Sequence, residues 1–267
     1  MRALSSPSTQ TAAAAPGADP VVAVADLWKE IGGKTILAGI SLEVREGQIQ
    51  VIMGPSGCGK SVFLKHLVGL LRPTRGEVLV FGEPVHALTD DAIDRLRLRT
   101  GVVFQSAALF DSLSVADNVA FPLRRHRRLP EEAIAGRVAH LLALVEMEGT
   151  ERLMPSELSG GMRKRVGIAR ALALEPRLIL YDEPTSGLDP LTARTVDDLV
   201  LRLRADLGVT SVVVTHSVDS AFRLADRLAV MEAGRFAASG FPQDILECVH
   251  PFVETFLATR TVGVSHA

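Results

Sequence analysis

The sequence predicts an α/β fold in which a parallel sheet carries a phosphate-binding loop, and three stretches predict it. The apolar run Ile49-Gln50-Val51-Ile52-Met53 feeds Gly54-Pro55-Ser56-Gly57-Cys58-Gly59-Lys60-Ser61, which has the spacing Gly, four arbitrary residues, Gly-Lys-Ser. A second run, Arg177-Leu178-Ile179-Leu180-Tyr181, ends on Asp182-Glu183. The third, Thr210-Ser211-Val212-Val213-Val214-Thr215, ends on His216. Ligands of open α/β sheets sit beyond the carboxyl ends of the strands, so apolar runs that end on chemically active residues point to one site.

With 267 residues the chain is near the upper size for one hydrophobic core, and one domain with room for an inserted subdomain is expected. Hydrophobic residues make up 47%, ample for that core. A net charge of −2 gives no whole-molecule electrostatic case for nucleic acid as a partner, although local basic patches stay open. Cys58 and Cys248 are the two cysteines, too few to staple a chain of this size, and a reducing cytosol suits them. No run of about 18 consecutive apolar residues occurs, so no self-sufficient membrane crossing is expected. Residues 1–20 are rich in Ala, Ser, Thr and Pro without a leucine-rich block, which predicts a disordered tail rather than a signal peptide.

From residue 21 to 44, short apolar runs broken by Gly32-Gly33 and by Gly39 predict antiparallel strands joined by tight turns. Val78-Leu79-Val80-Phe81-Gly82 reads as another strand of that sheet. After the glycine-rich loop, residues 62–71 carry apolar side chains at helical spacing, so the loop opens onto a helix N-terminus. Unpaired N–H groups and the positive end of the helix dipole favour anionic oxygens there. Lys60 can reach the β/γ-phosphates of a nucleotide, and the Ser61 hydroxyl can ligate Mg²⁺.

A charged helix over 90–99 precedes the strand Gly101-Val102-Val103-Phe104-Gln105, which ends on a polar residue; taken alone, Gln105 reads as a loop glutamine. Residues 106–155 are mostly helical in pattern, over 117–123 and 131–145, as an inserted subdomain would be. The cluster Arg124-Arg125-His126-Arg127-Arg128 reads first as a solvated face and second as a contact for anionic lipid or an acidic partner. Ser159-Gly160-Gly161 before a basic amphipathic helix makes a second helix N-terminus suited to phosphate. Of the strand-end acids, one carboxylate suits Mg²⁺ and the other an attacking water. The other histidines show no metal-ligand spacing, and no zinc site is expected.

The order of these motifs resembles the ATP-binding subunits of ABC transporters, from residue 21 to about 246. Residues 54–61 match the Walker A motif, Gln105 the Q-loop, residues 158–162 the signature loop, and residues 178–183 Walker B with its glutamate. Residues 186–189 match the D-loop and His216 the switch histidine. The resemblance implies a P-loop NTPase fold of the ABC ATPase type. It would comprise an antiparallel β subdomain, a helical subdomain at about 106–165, an ATPase domain over 21–247 and a C-terminal extension over 248–267. It also implies a head-to-tail homodimer, in which ATP held by residues 54–61 of one subunit is covered by Ser159, Gly160 and Gly161 of the other.

Roles implied by the resemblance follow residue by residue. Lys60 stabilises phosphate charge, Ser61, Gln105 and Asp182 hold Mg²⁺ directly or through water, Glu183 activates the water, and His216 holds the γ-phosphate. Two positions depart from the family. Met162 stands where the signature loop usually ends in Gln, and the position that normally offers an aromatic ring to adenine is Ile31, with Trp28 as the alternative.

Residues 104–113, 115–123 and 154–162 look like the Mla and Mce-associated ATPases, which power phospholipid or other lipid movement in cell envelopes. That resemblance implies an integral membrane permease, an Mce-domain substrate-binding protein, a small regulatory subunit, and a peripheral position on the cytoplasmic face of the membrane. The apolar residues Ala107, Ala108, Leu109 and Phe110 sit where the permease's coupling helix is received. The rivals are another ABC importer or exporter, and a soluble ABC ATPase that works on DNA or ribosomes. A P-loop kinase or GTPase gives no reason for residues 158–162. Two further expectations concern single stretches. Cys58, at a helix N-terminus beside Lys60, is a candidate reactive thiolate or an inert small side chain. The apolar stretch 250–257 is a candidate to dock on the body or on a neighbour.

Overall fold

The computed structural model describes residues 19–127 and 129–259. Most of the expected N-terminal tail, Arg128 of the basic cluster and residues 260–267 of the expected extension lie outside the described residues. In chain order the elements are β1 (Val22–Ile31), β2 (Lys34–Val44), β3 (Ile49–Met53), α1 (Lys60–Leu67), β4 (Arg75–Val80), β5 (Glu83–Pro84), α2 (Asp90–Leu98) and β6 (Thr100–Val103). Three helices follow, α3 (Val115–His126), α4 (Glu131–Leu144) and α5 (Gly160–Leu172). The chain then forms β7 (Leu178–Asp182), α6 (Pro190–Leu207), β8 (Thr210–Thr215), α7 (Val218–Leu224), β9 (Arg227–Glu232) and β10 (Arg235–Gly240). It closes with α8 (Pro242–Leu246) and α9 (Pro251–Leu257).

The main sheet runs β10-β9-β3-β8-β7-β6, parallel throughout except for β10, which pairs antiparallel with β9. Because side chains alternate across a strand, each central strand feeds two cores. Ile49, Val51 and Met53 of β3, with Ile179 and Tyr181 of β7, face the core under α3 to α7. Ile52 of β3, with Leu178 and Leu180 of β7, faces the other core, shared with α1 and the antiparallel sheet β2-β1-β4-β5. The expected α/β architecture and antiparallel β sheet are thus the observed ones, in three layers around two hydrophobic cores.

Two local expectations are corrected. Gly39 does not make a turn: it lies inside β2 at φ +76, where the pairing with β1 shifts register between Leu27 and Trp28. The pattern break is a bulge, and only glycine takes that backbone cheaply. The helix expected over 117–123 runs further, as α3, because the Ser114 hydroxyl accepts from Asp117 N–H (3.1 Å) and caps it two residues earlier.

Arg124 of the basic cluster ion-pairs with Asp117 (2.8 Å) and Glu131 (2.9 Å), which ties α3 to α4 in an exposed network. The C-terminal stretch docks on the chain's own body: Val253 of α9 is fully buried in the larger core, with Phe252 and Phe256 stacked at 5.8 Å beside it. Among the described residues no helix is long and apolar enough to cross a membrane.

Candidate active site

Four strands of the main sheet deliver their carboxyl ends to one place. At the end of β3, Gly54 N–H donates to Thr215 O (3.2 Å), which pins the start of the loop to the end of β8. The loop then turns through Gly59 at φ +113, where a Cβ would stand 2.8 Å from Leu37 Cδ2 and 3.1 Å from Ile36 O. Neither the backbone angle nor the space admits a side chain, so the loop depends on glycine here. The turn leaves the N–H groups of Gly57, Gly59 and Ser61 without a backbone acceptor among the described residues, while that of Lys60 points at the Cys58 sulfur. Aligned with the N-terminus of α1, they form a site for anionic oxygens.

Lys60 is buried and folds back over its loop, donating to Gly54 O (2.7 Å) and Pro55 O (3.0 Å). Its ammonium also lies 3.4 Å from Glu183 Oε1. Glu183 sits just past β7 at φ +52, a left-handed backbone rarely taken by a non-glycine residue, and its N–H donates to Val214 O (2.9 Å). Its second oxygen, Oε2, accepts from the backbone N–H of His216 (3.2 Å) and faces His216 Nδ1 at 2.7 Å. An ionised carboxylate only accepts, so Nδ1 carries the proton of that bond. Both oxygens of Glu183 are therefore engaged, one by a lysine and one by a histidine whose side chain is half exposed.

Beside this row of paired side chains, Ser61 Oγ donates to Asp182 Oδ1 (2.9 Å). Burial raises the Asp182 carboxyl above the usual carboxylate range, and the Ser61 hydrogen bond works against it. Gln105, exposed at the turn after β6, donates through Nε2 to Ser186 Oγ (3.3 Å), so it faces the turn after Glu183.

Residues 158–162 lie elsewhere. Ser159 caps α5, its hydroxyl accepting from Met162 N–H (3.2 Å). A Cβ on Gly160 would stand 3.1 Å from Leu188 Cδ2, and one on Gly161 2.5 Å from Thr192 Cγ2. Both glycines thus let the start of α5 close on residues 188–192. No hydrogen bond or ion pair among the described residues joins 158–162 to 54–61. The two phosphate-suited helix ends belong to one chain without meeting in it.

At the antiparallel sheet, the Trp28 ring lies under the guanidinium of Arg75 (4.4 Å) with Arg235 at 5.3 Å, and its Nε1 donates to Asp26 Oδ1 (2.8 Å). Ile31 is 47% exposed. Of the two readings of Cys58, the inert one fits its surroundings better: the side chain is buried, and burial pushes the thiol above its ordinary value, outweighing the opposing effect of Lys60.

Two buried charged residues escaped the sequence reading. Lys164, within the basic run after the signature loop, turns inward between the turns after β6 and β7. Asp197 of α6 is buried with one carboxyl oxygen unpartnered among the described residues. Helical phase was the available signal: Lys164 stands midway between Gly161 and Gly167, and Asp197 follows the buried Val196.

Nucleoside triphosphatases with a phosphate-binding loop are the class that this sheet and loop define. A family model described as ABC transporter matches residues 37–186. The chain is 40% identical to the probable ribonucleotide transport ATP-binding protein mkl of Mycobacterium leprae, over 91% of this chain and 70% of that protein. It is also 40% identical to the intermembrane phospholipid transport system ATP-binding protein MlaF of Haemophilus influenzae, over 91% of this chain and 92% of that one. Among solved structures, the dimeric post-hydrolysis state of the ATP-binding cassette MJ0796, bound to ADP and Pi, superposes with a TM-score of 0.76 and 34% identity. That match covers 83% of this chain and 98% of the other. The chain belongs to the ABC transporter family and is an ATP-binding, ATP-hydrolysing subunit of that kind.

Proposed function

We propose that ATP is hydrolysed by residues 54–61, Gln105, Asp182, Glu183 and His216 of one copy under Ser159, Gly160 and Gly161 of a second. Lys60 exchanges its loop carbonyls for β/γ-phosphate oxygens, a stronger charge-assisted partner. Ser61 and Asp182 fit Mg²⁺: a hydroxyl and a carboxylate oxygen 2.9 Å apart at a helix N-terminus are the hard donors it takes, with Gln105 completing the shell through water. Bound there, Mg²⁺ would offset charge on the phosphates. Departure of Lys60 frees Glu183 Oε1 to orient a water and accept its proton, while His216 holds the γ-phosphate. The observation that carries this reading is the doubly engaged Glu183, held between Lys60 and His216 at the end of β7. Glu183→Gln is expected to slow turnover about 10²–10⁴-fold while ATP binding persists. Wild-type turnover in that variant overturns the assignment. For adenine, Arg75 over Trp28 leaves the exposed Ile31 as the better apolar surface.

As cargo we favour phospholipid or a related lipid, moved through an integral permease, with an Mce-domain protein and a small regulatory subunit as companions. Support comes from the near end-to-end match to MlaF of H. influenzae. The name of the mycobacterial relative supplies the second reading, ribonucleotide transport. Native mass spectrometry of the complex purified from membranes separates them: bound phospholipid supports the first and bound ribonucleotide other than the ATPase ligand supports the second.

The chain would then work from the cytoplasmic face of the membrane, as an ATPase unit over 21–247 with a helical subdomain at about 106–165 and an extension over 248–267. An apolar groove of about 440 Å³, lined by Phe104, Ala108, Phe110, Phe121, Pro122 and Leu174, suits a helix offered by the permease. A Phe110→Glu chain that still folds is expected to leave the membrane fraction; unchanged membrane association would remove the groove from this role.

A further inference from the structure

Lys164 is 5% exposed, although it stands between two arginines in a run that reads as a solvated basic face. Its neighbours are used elsewhere: Arg163 donates to Leu158 O (2.5 Å), and Arg165 reaches Glu146 (3.5 Å). Lys164 Nζ donates instead to two backbone carbonyls, Gln105 O (2.5 Å) and Glu183 O (3.0 Å). Those carbonyls lie past the ends of two different strands, β6 and β7. A lysine that merely covered its helix would extend its ammonium into water. This one is held inside by acceptors, with the carboxylates of Glu183 and Asp182 within electrostatic reach.

The same face of α5 continues the contact. A Cβ on Gly167 would stand 3.2 Å from Ala107 Cβ, so the turn after Gln105 lies directly on the helix. Arg170 then donates to Ala107 O (2.8 Å) and Ala108 O (2.7 Å). Ala107 and Ala108 both have left-handed backbones, φ +60 and +47, which alanine does not prefer. Both carbonyls are held by α5, the helix that Ser159 caps.

We propose that Lys164 is a positioning residue for ATP hydrolysis: its ammonium ties the main chains of Gln105 and Glu183 to α5. The two side chains that flank the γ-phosphate then move with the helix that carries the signature loop. This inference rests on the assignment of Gln105 and Glu183 given above. An ammonium is a point donor with three N–H groups on one atom, so it can span two carbonyls and fix their separation. Methionine fills similar space and removes the tie.

The test is steady-state ATP hydrolysis by the full chain, compared for wild type, Lys164→Met, Lys164→Arg and Glu183→Gln, with affinity for a non-hydrolysable ATP analogue measured in parallel. Lys164→Met is expected to lower kcat about 10–100-fold, with KM and analogue affinity changed less than about threefold, since misplacing a reacting group costs rate rather than binding. Lys164→Arg, which can still donate to both carbonyls, is expected to recover part of kcat. An unchanged kcat in Lys164→Met, beside a slow Glu183→Gln, overturns the tie and leaves the active-site assignment standing. A wild-type rate in Glu183→Gln overturns both. If Lys164→Met does not fold, Lys164→Ala, which removes every donor and leaves room for water, takes its place, and an unchanged kcat in it overturns the proposal equally.

Discussion

Cys58 and Lys60 stand two residues apart in one loop, both buried, and meet that burial with different partners. Lys60 finds carbonyls and a carboxylate for its charge, whereas at the Cys58 thiol burial outweighs the lysine charge and the backbone N–H groups of Cys58 and Lys60 that would favour a thiolate. Alkylation at pH 7.5 followed by mass spectrometry should therefore modify the more accessible Cys248 before Cys58. Labelling of Cys58 should climb only at a pH above the ordinary thiol range, where a raised thiol begins to ionise. Faster modification of Cys58 at pH 7.5 would show that loop opening, not ionisation, governs its access. At this scale the sequence was informative about which residues line the site and silent about how they are engaged. Spacing located Lys60, Asp182, Glu183 and His216. That Glu183 is held from both sides depends on two strands, β7 and β8, meeting in register.

Helices hide what strands announce. A strand of five residues that ends on Asp182 puts that side chain at the sheet edge whatever packs around it, so the end residues were legible. In α5 and α6 the burial of a charged side chain depends on helical phase against a neighbour that the sequence does not identify. Arg163, Lys164 and Arg165 look alike in the sequence, and so do Asp197 and Asp198. Only one of each group turns inward.

For Asp197 this has a measurable cost. Burial pushes its carboxyl up to about 6, against the hydrogen bond from Ser220 and the charge of Arg223. Since the native pKa exceeds the unfolded one, the native state holds this proton more tightly, and stability falls as pH rises from about 4 to 6 and then levels. Asp197→Asn lacks that slope. Relative to wild type the variant should gain roughly 3 kcal/mol at most between pH 4 and pH 7, the equivalent of about two pKa units. Parallel unfolding curves for the two proteins across that range would discount the shift.

On the scale of the whole molecule, the last described helix belongs to the principal core. Val253 is fully buried there, so the stretch 248–259 is a structural part of the fold rather than an appendage. Val253→Ala is expected to cost about 1–3 kcal/mol from lost burial and the cavity left behind, lowering the melting temperature by several degrees. A melting temperature equal to wild type would mean that α9 detaches freely. The layered architecture was legible from alternating apolar strands and helices, but the docking of α9 was not. An apolar helix of seven residues advertises that it will be covered, and its sequence does not say by what.

Strand order also sets a timetable. β3, which presents the phosphate-binding loop, pairs on one side with β8 and on the other with β9, both of which lie past residue 209. On a growing chain, β3 and its loop emerge early with both edges open. At synthesis rates of about 5–20 residues per second, the wait for both neighbours is roughly 10–35 s. During that interval an apolar strand has no partner from its own sheet, so the nascent chain is most exposed to aggregation around the very segment that will hold the nucleotide. ATP can steady this protein only after nearly all of it has been made.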